Sequence, residues 1–225
     1  GPEWTLGDQE LELGTGEHAV VALALRHVVP TPGLAACDFH VHSAVGFDSD
    51  VGVEDRVRTL AGVGIDFAVP SEHNLVGSYD AARRLGLGAD FGWAPGVEVT
   101  THAPLEGHFN VFPYTLAAPP PSRGTNLTQL VALVRGRLPG AILQVNHPRL
   151  GGGMGYFDQL GLDPVTHVSR KGWEDGFDTL EVYNGFDLPK QARVESLLRE
   201  WLSLFDSGRR HWATGNSDSH AAQYL

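Results

Sequence analysis

Asp38-Phe39-His40-Val41-His42 stands at the end of a stretch that is typical of a buried β-strand. Side chains of a strand point alternately to its two faces, so His40 and His42 point the same way. Two imidazoles side by side on one face are able to bind a single divalent metal ion. The stretch therefore predicts a metal site at the end of the first strand of an α/β domain.

Further side chains of the metal-binding types follow later predicted strands, and one carboxylate among them, Glu98, suits a bridging role. A bridging carboxylate holds two ions ~3.5–4 Å apart, and a water bound to them loses a proton near neutral pH. No Gly-x-Ser-x-Gly motif offers a serine nucleophile instead. The pattern predicts a metal-dependent hydrolase whose further candidate ligands are His73, Glu98, His108, His147, Asp218 and His220. His102 could line the same pocket, but His108 is preferred because it begins an apolar strand.

Strands and helices alternate from residue 36 onwards, which favours parallel strands. The pattern predicts strands at 36–42, 65–70, 93–99, 108–113, 141–146, 178–184 and 211–216 and helices at 53–62, 78–86, 125–138 and 189–206. Thr125 or Asn126 is expected to cap the third helix. Seven strands could form a closed barrel or an open doubly wound sheet. No Gly-x-Gly-x-x-Gly follows the first strand, which argues against a dinucleotide-binding sheet.

Composition limits the classes of partner. The chain has 225 residues, 42% of them hydrophobic, which suits one domain with a substantial core. Its formal net charge of −11 argues against nucleic acid as a stable partner, although bound metal ions would still allow an anionic or ester small-molecule substrate. No run of about 18 apolar residues predicts a membrane span. We expect a soluble protein, either cytoplasmic or exported, whose oligomeric state the sequence leaves open.

The first 35 residues differ from the rest. His18 to Val29 read as a strand, which is either the end of a missing β-module or an edge strand of the main domain. The chain begins without Met, so we expect that a longer precursor contained it. We therefore divide it into a leading segment, 1–35, and a barrel domain, 36–225, which could be truncated at its carboxyl end.

The motifs together resemble those of the polymerase and histidinol phosphatase (PHP) superfamily. The matching stretches, which span residues 36 to 220, are Asp38-Phe39-His40-Val41-His42-Ser43, Ser71-Glu72-His73-Asn74, Gly96-Val97-Glu98, Gly107-His108, Asn146-His147-Pro148 and Asn216-Ser217-Asp218-Ser219-His220. Phe47-Asp48-Ser49 and the stretch after Gly107 are most similar to the carbaryl-hydrolase-like branch. The second motif departs from the usual Thr-Asp-His, because Glu72 replaces the aspartate.

The resemblance implies a distorted (β/α)7 TIM-like barrel with two or three divalent ions, Zn, Mn or Fe. His40, His42, Glu98 and Asp218 would hold one ion, and Glu98, His108 and His147 the second. His73, His220 and a residue shortly after His42 would hold the third. By its spacing that residue is Asp48, with Asp50 as the alternative, and a carboxylate replaces the family's histidine there. Among the ligands, we expect Glu98, Asp218 and His220 to be catalytic.

The resemblance leaves more than one function open. A metal-bound hydroxide would cleave a phosphoester or, alternatively, a carbamate or carboxylic ester, and a catalytically inert PHP-like module is a third possibility. Arg149 and Asn184 are candidate substrate-binding residues. The amidohydrolase superfamily commonly bridges its metals with a carboxylated lysine, and no lysine lies between His42 and Lys171. That absence argues against an amidohydrolase.

Overall fold

A computed structural model of the chain describes residues 4–185 and 191–222. In these residues the elements follow the order β1 (Cys37–Val41), α1 (Val53–Gly62), β2 (Phe67–Pro70), α2 (Ala81–Arg84), β3 (Gly92–Trp93), β4 (Val97–Thr100), β5 (His108–Phe112), α3 (Leu127–Arg137), β6 (Ile142–Val145), α4 (Tyr156–Leu160), β7 (Thr179–Asn184), α5 (Gln191–Asp206) and β8 (Trp212–Asn216). The fold is therefore α/β, as the alternating pattern predicts.

The strands form two sheets, with the orders β1-β2-β3 and β4-β5-β6-β7-β8. All pairs are parallel except those of β5, which runs antiparallel to both β4 and β6. The expectation of parallel strands is wrong for β5. The connection from β4 to β5 spans only residues 101–107, and a parallel crossover needs roughly a dozen residues or more.

Two isolated strand pairs join the sheets at one end. His73, just after β2, pairs with Glu98 of β4, and Val41 of β1 pairs with Ser219, just after β8. Backbone hydrogen bonds from Asn74 N to Glu98 O (2.8 Å) and from Asp218 N to His40 O (2.8 Å) reinforce both junctions. These pairings bring motifs that are distant in sequence to a common edge.

The helices pack against the sheets through apolar side chains. Val57 and Leu60 of α1 lie in one buried cluster with β1 and β2. Larger helices contribute to a second cluster around β4 to β7, through Leu130, Val134, Leu197 and Leu204. Asn126 caps α3: its side chain accepts from Gln129 N (2.8 Å), and the Gln129 side chain accepts from Asn126 N (2.9 Å).

Several predicted boundaries differ from the structure. The strand predicted at 93–99 is divided into β3 and β4, α2 is shorter than predicted, and α4 was not expected. The first two residues of the helix predicted at 189–206 lie outside the described residues. The strand predicted over 18–29 is not formed; that segment is exposed, and its one pairing within the described ranges joins His27 to Trp4. Strand propensity alone does not order it, because no strand among the described residues pairs along its length.

No helix within residues 4–185 and 191–222 combines the length and apolarity needed to cross a membrane.

Candidate metal centre

The predicted ligands converge at the edge where the two sheets meet. We call these nine residues the ligand cluster: His40, His42, Asp48, His73, Glu98, His108, His147, Asp218 and His220. Within the described part of the chain they form overlapping groups whose nitrogen and carboxylate oxygen atoms lie within 4.8 Å of one another: His40, His42 and Asp218; His40, Glu98 and His147; His73, Glu98 and His108; and His42, Asp48, His73 and His220. Each group could hold a metal ion.

The first group has the spacing of a shared coordination sphere. Nε2 of His40 and Nε2 of His42 each lie 3.1 Å from Oδ1 of Asp218. The same two nitrogens lie 3.4 Å from the two carboxylate oxygens of Glu98. Ligands bound at zinc distances to one tetrahedral ion lie about 3.3 Å from each other. His40, His42 and Asp218 therefore form a group that could hold one ion, and the Glu98 carboxylate lies beside that group.

Glu98 also reaches the second predicted group. Its Oε1 lies 3.0 Å from Nδ1 of His108 and 3.6 Å from Nε2 of His147. Glu98 is fully buried and stands between the first group and these two histidines. This position suits a bridging carboxylate.

Asp48 occupies the centre of the remaining group. Its Oδ2 lies 2.9 Å from Nε2 of His73 and 2.8 Å from Nε2 of His220, and its Oδ1 lies 4.0 Å from Nδ1 of His42. Asp50, the alternative by spacing, is exposed and belongs to none of the groups. The geometry favours Asp48.

Several buried atoms of the ligand cluster lack a hydrogen-bond partner among the described residues. They are Nε2 of His40, both ring nitrogens of His42, Oδ1 of Asp48, Oε2 of Glu98 and Nδ1 of His147. Buried polar atoms are normally paired, because an unpaired one has lost its hydration without compensation. A cation bound between nitrogen and oxygen atoms that face one another accepts their lone pairs and compensates for the lost hydration. The residues present therefore fit the divalent ions that the sequence predicts.

The carboxylates and imidazoles of the ligand cluster shift the pKa values of one another. Burial disfavours the charged carboxylate of Glu98, but the imidazoles of His40, His73 and His108 hold its pKa well below the usual range. Burial likewise disfavours the charged form of His73, but Glu98 and Asp48 raise the pKa of His73 to about 8. The raised pKa values of His40 and His73 favour protons on these two imidazoles, which face the buried acids. Metal binding would replace those protons with the charge of the ions.

Glu181, on β7, orients the candidate ligands and was not singled out by the sequence analysis. Its Oε1 lies 3.0 Å from Nδ1 of His40 and accepts from Asn216 Nδ2 (2.8 Å), while its Oε2 accepts from His147 N (2.7 Å). The side chain is fully buried. Its signal in the sequence is an acidic residue between the apolar Leu180 and Val182 of a predicted strand.

Asn184, a predicted substrate-binding residue, lies beside the ligand cluster at the end of β7. Its side-chain amide donates to Glu181 Oε2 (3.1 Å) and to Asp218 Oδ2 (2.9 Å). These contacts place Asn184 where it orients Asp218.

Arg149, the other predicted substrate-binding residue, is engaged elsewhere. Its guanidinium donates to Glu200, Asp158 (3.1 Å) and the carbonyl oxygen of Leu162 (2.8 Å), and it lies over the ring of Phe157. These partners come from α4, α5 and the adjoining loop. The contacts favour a structural role over the predicted contact with substrate.

Arg56 was also missed, and it fixes the backbone beneath the cluster. This fully buried side chain donates to the carbonyl oxygens of His42 (2.8 Å) and Ser219 (3.2 Å), and to Ser219 Oγ (3.1 Å). It thereby joins the first and last motifs.

His147 and Asp218 have positive φ angles of 24° and 48°, which are uncommon for residues other than glycine and are frequent at functional sites.

No protein-family model and no curated protein matches this sequence. Among solved structures, the chain is similar to PsfC from Pseudomonas syringae, with a TM-score of 0.54 and 16% identity over 84% of this chain and 78% of that one. A protein assigned as a metal-dependent phosphoesterase from Bifidobacterium adolescentis matches with a TM-score of 0.52 and 15% identity over 84% and 89% of the two chains. An amidohydrolase from Chromobacterium violaceum, with bound sulfate and no metal, matches with a TM-score of 0.53 and 15% identity over 83% and 88%. At these identities the likeness is one of fold.

Proposed function

We propose that the chain is a metal-dependent hydrolase of the PHP type that cleaves a phosphoester. The observation that carries this proposal is the set of buried, unpaired nitrogen and oxygen atoms that face one another in the ligand cluster. Divalent ions bound there would supply a Lewis acid and an activated water near neutral pH. The fold similarity to a protein assigned as a metal-dependent phosphoesterase supports the same class of reaction.

The proposed ligand sets are those that the resemblance to the PHP superfamily implies, with Asp48 in the third. His40, His42, Glu98 and Asp218 would hold one ion; Glu98, His108 and His147 would hold the second; Asp48, His73 and His220 would hold the third. Glu98 takes part in two sets, which keeps two ions adjacent.

Glu98, Asp218 and His220 are proposed to be catalytic as ligands of the ions that would activate the attacking water. His220 is the most exposed of the three, with 20% of its side-chain surface open to solvent, and its Nδ1 lies 2.8 Å from the carbonyl oxygen of Asp218. With Nδ1 facing that carbonyl oxygen, Nε2 of His220 is left for the third ion, which Asp48 and His73 would share. Asn184 holds the Asp218 carboxylate in place through its amide.

We further propose that the strands close as a distorted seven-stranded barrel, with residues 1–35 as a separate leading segment. The pairings of Val41 with Ser219 and of His73 with Glu98 support closure, because each joins one sheet to the other. In such barrels, active sites lie at the carboxyl ends of the strands, where the ligand cluster stands.

A carbamate or carboxylic ester is the second candidate substrate, since the same ions would polarise a carbonyl group. The fold similarity to an amidohydrolase favours keeping this candidate. A catalytically inert PHP-like module is the third candidate. Such a module would bind metal but turn over none of the substrates.

The test combines elemental analysis of the purified protein with a panel of nitrophenyl phosphates, a nitrophenyl carboxylic ester and an aryl carbamate. We expect two or three divalent ions per chain and turnover that a chelator abolishes and added Mn²⁺ or Zn²⁺ restores. His40→Ala should lose metal and turnover, whereas the control His18→Ala, at an exposed histidine, should keep both. A protein that binds no divalent ion would contradict the proposal.

A further inference from the structure

Asp48 is the candidate ligand that lies farthest along the chain from a regular element. It stands within the loop of residues 42–52 between β1 and α1, which we call the Asp48 loop. Every other member of the ligand cluster lies on a strand or in the motif directly after one. Sites built on strands are held more precisely than sites built on loops. Tertiary contacts of the Asp48 loop must therefore keep Asp48 beside His73 and His220.

Glu72 provides such a contact from the end of a neighbouring strand. It follows β2 and is buried, with 1% of its surface exposed, yet it belongs to none of the candidate metal groups. Its Oε1 accepts from the Ser43 hydroxyl (2.5 Å), and its Oε2 accepts from Ser43 N (3.3 Å). Both hydrogen bonds hold the beginning of the Asp48 loop.

Gly46 lies close to the carboxylates of both Glu72 and Asp48. A Cβ at this position would lie 2.6 Å from Oε2 of Glu72 and 3.4 Å from Oδ1 of Asp48. Any side chain at position 46 would therefore push the Glu72 carboxylate away from Ser43. Burial raises the pKa of Glu72 above its usual range, the hydrogen bonds from Ser43 oppose the rise, and the charge of Asp48 adds to it. The contact of Glu72 with the loop is thus made close to Asp48.

The far side of the Asp48 loop is held independently of Glu72. The Ser49 hydroxyl donates to the carbonyl oxygen of His220 (2.7 Å). Asp48 therefore lies between one contact at Ser49 and another at Ser43. Loss of the Glu72 contact should leave the loop attached at Ser49 but free to shift at its beginning.

We propose that Glu72 is a positioning residue for the third ion, which it affects through the Asp48 loop. This inference rests on the proposed function, because the third ion belongs to the ligand sets proposed there. Aspartate at position 72 would be one methylene, about 1.5 Å, shorter and would not reach both donors of Ser43. The ligands of the first two ions, which lie on strands or directly after them, would keep their places. The affinity for the third ion should therefore depend on Glu72, and the other two affinities should not.

The experiment measures how many Mn²⁺ ions bind and how tightly, so that it does not depend on turnover. Mn²⁺ is titrated into the metal-free protein, and the free ion is quantified by electron paramagnetic resonance. Asp48→Ala identifies the third ion as the binding step that this variant loses. Glu72→Asp and Ser43→Ala are then compared singly and combined, and thermal unfolding shows that each variant is folded. The control is Glu195→Asp, which makes the same shortening on the exposed surface of α5.

We expect three ions for the wild type and for the control. Glu72→Asp should weaken the third ion by about 10- to 100-fold, the usual cost of losing a residue that orients a ligand. Ser43→Ala should weaken it by a smaller factor, because the backbone N–H of residue 43 remains. The combined variant should lose no more than Glu72→Asp alone, because both changes remove the same contact.

Four results overturn the inference and leave the proposed hydrolase standing. They are a wild type that binds two ions, a Glu72→Asp variant with an unchanged third affinity, a loss shared equally by all three ions, and a combined loss equal to the sum of the single losses. If Glu72→Asp does not fold, an unchanged third affinity in Ser43→Ala overturns the inference. A wild type that binds no Mn²⁺ would contradict the proposed function itself.

Discussion

Oε1 of Glu181 lies 3.0 Å from Nδ1 of His40, and the other oxygen of Glu181 accepts the backbone N–H of His147. One buried carboxylate thus orients two candidate ligands that are far apart in sequence. Because Nδ1 of His40 faces Glu181, its Nε2 is left to face Asp218 and Glu98. A carboxylate behind a metal-binding histidine fixes its ring and raises its basicity.

We predict that Glu181→Gln weakens metal binding by about 10- to 100-fold, the usual cost of losing such a partner. The carboxylate serves four donors, from His40, His147, Asn184 and Asn216, whereas the glutamine side chain has a single acceptor oxygen. The measurement is a competition titration of Zn²⁺ or Mn²⁺ against a chromogenic chelator.

The control for this variant is Glu195→Gln, which makes the same chemical change on the exposed surface of α5. It should leave the metal affinity at the wild-type value. Equal affinities for Glu181→Gln and wild type would show that Glu181 does not orient the ligands.

Asp218→Asn tests the carboxylate whose Oδ1 lies 3.1 Å from Nε2 of both His40 and His42. Asparagine tolerates a positive φ angle, so this change should keep the backbone that places residue 218. It removes the negative charge that faces two imidazoles, and we expect kcat to fall by about 10²- to 10⁴-fold. Initial rates at saturating metal, with the best ester of the panel, provide the measurement.

Thermal unfolding with and without metal separates a loss of ligand from a loss of fold. Metal at 100 times its Kd stabilises a protein by about 2.7 kcal/mol, which corresponds to about 5–10 °C in Tm for a domain of this size. Wild type should show this shift, and Asp218→Asn should show a much smaller one from a similar metal-free Tm. A full shift in the variant would remove Asp218 from the ligand set.

The strands could be predicted closely because their sequence signals are local. Apolar runs such as Phe67-Ala68-Val69 before His73 and Ala141-Ile142-Leu143 before His147 mark the strands, and all eight observed strands lie within or close to the predicted ranges. The convergence of the candidate ligands that follow parallel strands was predictable as well, because the carboxyl ends of such strands meet at one edge. His108, the first residue of β5, joins them only because β5 runs antiparallel to its neighbours.

The features that could not be predicted from the sequence depend on tertiary contacts. The direction of β5 follows from the short loop before it and from the strands that flank it. Glu181 and Arg56 are recognised as important only when their partners on other elements are known. Arg149 was expected at the substrate, because nothing in the sequence brings Glu200, 51 residues later, to its guanidinium.

Gly185 follows Asn184 and packs on the turn that precedes Asp218. A Cβ at this position would overlap the backbone carbonyl of Ser217. We predict that Gly185→Ala displaces that turn, lowers the free energy of unfolding by about 1–3 kcal/mol and weakens metal binding. Urea denaturation and the chelator titration measure the two effects.

Gly136→Ala is the matched control for Gly185→Ala. Gly136 lies in α3, and nothing stands within 4 Å of the position that its Cβ would occupy. Alanine should stabilise this helix by about 0.5–1 kcal/mol and leave metal affinity unchanged. If Gly185→Ala leaves the free energy of unfolding and the metal affinity at their wild-type values, the turn at Ser217 moves without cost.

Arg149 offers a choice between two roles that kinetics and stability can separate. Its contacts with Glu200 and Asp158 predict that Arg149→Ala strands a buried carboxylate and lowers the free energy of unfolding by about 1–3 kcal/mol. Glu200→Gln removes the other side of the same ion pair and should also destabilise the protein. In both variants, kcat and KM per folded molecule should stay at wild-type values. A KM that rises tenfold in Arg149→Ala but not in Glu200→Gln would instead restore Arg149 as a substrate-binding residue, because only a direct contact with substrate distinguishes the two partners.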